Sequence, residues 1–124
     1  MSEMHPTHTC FDDAAEFCMR NGGVVVHGLI PHPHAWVEHE GKIWQGGVYK
    51  GKRCFYAMPP TEFFAAYTVL KTTRYARPLY LTLWEQLNGP GPWRAEYRDK
   101  CTDNKTIHSA IKTTTPIQVI FYED

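Results

Sequence analysis

The sequence lacks a close cysteine pair, a long apolar run and an excess of charge of either sign, and each absence removes a class of protein. Cys10, Cys18, Cys54 and Cys101 form no CxxC motif, so neither a dithiol redox site nor a paired-cysteine zinc site is expected. A chain of 124 residues does not need disulfides to fold, and the thiols are read as reduced. Apolar residues are too dispersed for a membrane span, which takes about 20 in succession. The start MSEMHPTHTC lacks the charged and then apolar build of a secretory signal, so a cytoplasmic protein without membrane contact is expected. Lys and Arg number 13 and Asp and Glu 13, which leaves no drive toward nucleic acid or anionic lipid. No dinucleotide fingerprint or P-loop is present, and the prolines of GPGPW remove the N–H donors a phosphate loop needs. No cofactor is expected.

A second hydrophobic core would have too little material, so residues 1–124 are read as one domain with one site. Thr9 followed by acid, with Phe11, Ala14, Ala15, Cys18 and Met19 at helical spacing, predicts a helix from Cys10 to Arg20 that RNGG stops. GVVVHGLI suits a buried strand, HAWVEHEGKIWQGGVY a hairpin turning at Glu40 and Gly41, and KRCFYAM a further strand. Pro59 and Pro60 open a second helix over TEFFAAYTVL, with Phe63, Phe64, Tyr67 and Leu70 as its apolar stripe. PLYLTLWEQLNG reads as a third helix stopped by Asn88 and Gly89, although its Leu79, Leu81, Leu83 alternation also fits a strand; the polar stretch from Arg94 to Thr115 suits helix, loop or mobile chain, and PIQVIFY is a strand. The class is α+β: an N-terminal helix packed on a small, mainly antiparallel β-sheet, with further helices.

The chemistry concentrates in the hairpin. Alternation puts His34, Trp36 and Glu38 on one strand face and Ala35, Val37 and His39 on the other. Ala35 and Val37 suit a core, so His34 is expected to face a cleft or solvent. If Glu40 and Gly41 form the turn, Gln45 becomes a same-face diagonal neighbour of His34, about 7 to 8 Å away by backbone, able to hold the imidazole in one tautomer. Cys10, at the first helical position, would feel the positive end of the helix dipole, which favours thiolate. Nucleophile, base and orienting group are then Cys10, His34 and Gln45.

A helix-borne cysteine, a strand carrying HAWVE, a glycine turn and a second strand with a polar residue just after its aromatic resemble the transglutaminase-like and cell-wall-peptidase branches of the papain-like cysteine-protease superfamily. The resemblance covers residues 9–49. It implies a cysteine hydrolase or acyltransferase acting on an amide or thioester, with Cys10 as nucleophile, His34 as base and Gln45 where the family usually carries aspartate or another polar residue. Trp36, Trp44 and Glu38 would then contact substrate.

Two other classes stay open. In a non-catalytic binding or accessory protein the hairpin presents Trp36 and Glu38 to a partner and Cys10 is incidental. In a zinc protein His5, His8 and Cys10 meet His32 or His34, although the sequence holds no HExxH helix and no PCxxC. Cys18 is expected in the core, and His27, inside VVVHGLI, as a hydrogen-bonded core or inter-strand histidine.

Overall fold

The hydrophobic period of CFDDAAEFCMRN produces helix α1 (Cys10–Asn21), which buries Ala14, Ala15, Phe17 and Cys18 and ends at Gly22 with φ 90°. In the computed structural model, which describes residues 4–6, 9–30, 32–98 and 118–122, Thr9 does not cap this helix in the expected way. Its hydroxyl instead donates to Asp13 Oδ2 at 3.0 Å. The far end of α1 is closed from outside, where Arg77 donates to the carbonyls of Cys18 and Met19, each at 3.1 Å.

Strands β1 (Met4–Pro6), β2 (Val24–Leu29), β3 (Pro33–His39), β4 (Lys42–Tyr49) and β5 (Lys52–Met58) are followed by α2 (Pro60–Ala66), β6 (Lys71–Ala76), α3 (Arg77–Leu87), α4 (Ala95–Arg98) and β7 (Gln118–Phe121). The strands form one sheet in the order β6-β2-β3-β4-β5-β7, with β1 added on β4, and every pairing is antiparallel. The class is therefore α+β, with the N-terminal helix on a mainly antiparallel sheet as expected. Among the described residues no helix is long and apolar enough to cross a membrane.

Both faces of the central strands are covered, which the sequence did not announce. On one face Ala14, Ala15, Phe17 and Cys18 of α1 and Tyr80 of α3 pack on Val25, Ala35, Val37, Trp44 and Phe55. On the other, Phe63 and Tyr67 of the α2 region pack on Val26, Trp36, Ile43, Tyr56 and Met58. The second helix is shorter than TEFFAAYTVL suggests: Tyr67 is already extended (φ −125°, ψ 138°). From there the chain runs out to pair, with the Leu70 N–H donating to the Leu29 carbonyl at 2.8 Å. Strand β6 then lies against β2, and its Lys71, Thr72 and Arg74 give it the polar character of an edge strand. Leu70 is 62% exposed, outside the stripe assigned to it.

The hairpin turns where its glycine requires. Glu40 (φ 52°) and Gly41 (φ 74°) are the two left-handed residues of a type I′ turn, and His39 pairs with Lys42. Glutamate fits that conformation poorly, so Glu40→Asn should stabilise the fold by about 0.5 to 1 kcal/mol. A higher urea midpoint with an unchanged slope is the expected readout; an unchanged midpoint would count against a strained Glu40.

Candidate functional site

His34 and Gln45 are brought together. His34 Nε2 and Gln45 Oε1 lie 2.6 Å apart, and the Gln45 amide nitrogen donates to Met58 Sδ at 3.5 Å. A carbonyl oxygen only accepts, so Nε2 carries the proton and the lone pair of the neutral ring sits on Nδ1. Nδ1 is buried and has no hydrogen-bond partner among the described residues. Burial, the largest influence, holds the imidazole down at about 4, with His32 acting in the same direction and the Gln45 hydrogen bond and Asp13 opposing. The ring is therefore neutral at pH 7.

The surroundings of this pair correct the expectation of an open cleft. His34 is 2% exposed and Gln45 5%, because α2 closes the face that the sequence left wet. The His34 ring lies 6.3 Å from Tyr67, inclined to it by 30°, and 5.9 Å from Trp36. Trp36 and Trp44 are core residues of opposite faces and neither walls a cleft. Room for the Trp36 ring comes from Gly28, where a Cβ would sit 2.7 Å from Trp36 Cη2. Glu38 is half-buried and held by Arg74 through two hydrogen bonds of 2.9 Å, so it bridges β3 to β6 across β2.

Cys10 opens α1 and is partly exposed. The helix packs on the face of Ala35 and Val37, whereas the rings around His34 belong to the opposite face. No hydrogen bond from Cys10 reaches His34 Nδ1, so the thiol and imidazole are not joined as a pair. The sheet is nevertheless parted beside Gln45. The β3–β4 ladder ends at Val37–Trp44, and beyond Gln45 it is β1 that pairs with β4, over Gly47–Tyr49. Asp13, one turn after Cys10, sits against Gly46 at that level.

The two other described thiols are unsuited to chemistry. Cys18 and Cys54 are fully buried; burial raises both, Cys54 to about 11. Cys101 and His8 lie outside the described residues, as does the His5 side chain. Among the described residues no group of His, Cys, Asp and Glu could hold a metal ion.

Two features escaped sequence reasoning. His27 is a core residue as expected, but neither ring nitrogen has a hydrogen-bond partner among the described residues; Phe11, Tyr75, Tyr80 and Trp93 surround it at centroid distances of 4.8 to 6.2 Å. Asp13, only 2% exposed, accepts hydrogen bonds from Thr9, Arg53 and Tyr122. No spacing in the sequence links positions so far apart. Compared with known protein families, curated proteins and solved structures, the chain matches none.

Proposed function

We propose that the chain is a small cysteine hydrolase or acyltransferase acting on an amide or thioester bond. One observation carries this: an imidazole tethered at Nε2 by Gln45 with its Nδ1 lone pair buried and unmatched among the described residues. A buried acceptor left without a partner is costly, and a histidine held at one nitrogen is a base waiting for a donor at the other. Cys10 supplies that donor by approaching through the parting between β3 and β4, a movement that is part of the proposal. The thiol proton passes to Nδ1 and the thiolate attacks the carbonyl carbon. Nδ1 then returns the proton to the departing amine or thiol, leaving a thioester that water or an acceptor nucleophile resolves. Gln45 orients His34 without contributing charge. The resemblance of residues 9–49 to papain-like enzymes supports the same order of groups, and a reducing cytosolic setting would keep Cys10 a thiol.

One observation favours a second class: α1 packs on the face away from His34. On a non-catalytic binding scaffold the His34–Gln45 pair would only fasten β3 to β4. The pH dependence of iodoacetamide labelling at Cys10, read by mass spectrometry, separates the two. Catalysis requires an apparent pKa about 2 units or more below the ordinary 8.5, and its return toward 8.5 in His34→Ala and Gln45→Ala variants whose circular dichroism is unchanged. Labelling like a free thiol in all three proteins would leave the binding scaffold.

A further inference from the structure

We infer that the cavity at the β5–β7 end of the sheet is a binding site for a carboxylate joined to an apolar body. The cavity encloses about 390 Å³ and is lined by Lys52, Arg53, Phe121 and Tyr122, within the range that holds small organic molecules. Its central feature is a guanidinium aimed from behind. Arg53 Nη2 donates to Asp13 Oδ1 at 2.8 Å and to the Tyr122 hydroxyl at 3.2 Å, while the group lies over the Tyr122 ring, 4.4 Å from its centroid. Asp13 is itself immobile, its side chain 1% exposed and bound also by the Tyr122 hydroxyl at 2.7 Å and the Thr9 hydroxyl at 3.0 Å.

Only one nitrogen of Arg53 is spent on this anchoring. Nε and Nη1 make no hydrogen bond among the described residues, and the side chain is 55% exposed. Both two-pronged edges of a guanidinium, Nε–Nη2 and Nη1–Nη2, include the nitrogen held by Asp13 and Tyr122, so Arg53 offers a carboxylate single charge-assisted hydrogen bonds from Nε or Nη1. Lys52 adds a second cation with no ion pair among the described residues. Among the described residues the neighbouring charges do not cancel it: Arg20, whose Nη1 donates to the Tyr122 carbonyl, is matched by Glu16, and Asp13 is matched by Arg53. Among the described residues Lys52 is thus left as an unmatched positive charge beside an aromatic wall. Tyr122 is made rigid by stacking on Phe55 at 4.4 Å, and Phe121 offers the apolar surface for the ligand body. Nothing in this site involves Cys10 or His34, so it stands or falls apart from the catalytic proposal.

Isothermal titration of the whole protein with N-acetyl-phenylalanine, its uncharged amide and inorganic phosphate tests the assignment. The carboxylate should bind, with the amide and phosphate each weaker by about tenfold or more. Lys52→Gln, at an exposed position that leaves the fold intact, should weaken carboxylate binding about fivefold to tenfold. Arg53→Lys, which keeps the charge facing Asp13 but removes the Nε and Nη1 donors, should weaken it at least as much. No binding of the carboxylate, equal binding of acid and amide, phosphate binding as tight, or unchanged affinity in Lys52→Gln would each overturn the site.

Discussion

Gly46→Ala should lower the melting temperature by about 10 °C, corresponding to about 3 kcal/mol in a chain of this size. The reason lies on α1. A Cβ at position 46 would overlap the side chain of Asp13, which cannot step aside because Thr9, Arg53 and Tyr122 all hold its carboxylate. Either the helix lifts from β4, exposing the apolar face around Phe17 and Trp44, or the carboxylate leaves its partners while still buried. A buried charge stripped of its partner costs about 3 to 5 kcal/mol. Tyr122→Phe removes one of the three bonds without crowding anything and should cost only about 1 kcal/mol. Differential scanning calorimetry of both variants decides the matter; Gly46→Ala melting beside the wild type would mean that Asp13 is not seated on that glycine.

Asp13 also shows where sequence reading reaches its limit. Local chemistry was legible: α1, the Glu40–Gly41 turn and β5 follow from period, turn residues and caps, and the stop of α3 at its left-handed Asn88 was marked although its leucine alternation also suited a strand. What failed were the elements defined by a distant partner. Strand β6 is polar because it lies at the sheet edge, and only its pairing with β2 makes KTTRYA extended. Helix α2 stops early for the same reason, since the chain after Tyr67 is needed to reach Leu29.

The candidate site was half legible for a related cause. Alternation correctly put His34 and Gln45 on one face, and a glutamine side chain is long enough to close the diagonal between them. Alternation alone says which residues share a face, not what covers it. Reading His34, Trp36 and Glu38 as wet assumed an uncovered sheet, whereas Phe63 and Tyr67 seal that side. The same gap misplaced Trp36 and Trp44, whose size suits a cleft wall and a core equally. Helix α1 was foreseen, but nothing in its residues states which side of the sheet it takes, and the distance of Cys10 from His34 depends on that choice.

Acidification from pH 6.5 to 4 should strongly destabilise the protein through two histidines. His27, fully buried in its aromatic cage, is held down to about 3 by burial, and His34 to about 4 by burial against the opposing Gln45 hydrogen bond. In the unfolded chain both take up a proton near 6.5. Below that pH the unfolded state binds more protons than the folded one, so stability falls as pH falls, by about 1.4 kcal/mol per unit for each ring. Above 6.5 the loss vanishes. Between pH 6.5 and 4 the two rings together should remove about 6 kcal/mol, comparable with the whole stability of a small domain. His27→Leu isolates one share, since its ring nitrogens make no hydrogen bond among the described residues and an apolar replacement of similar size forfeits none. At pH 7 this variant should be about as stable as the wild type, and by pH 4 it should retain about 3 kcal/mol more than the wild type does. Urea unfolding at half-unit pH steps provides the comparison. Parallel curves for the two proteins would show that His27 is protonated as readily folded as unfolded, and the dry aromatic cage around it would have to be abandoned.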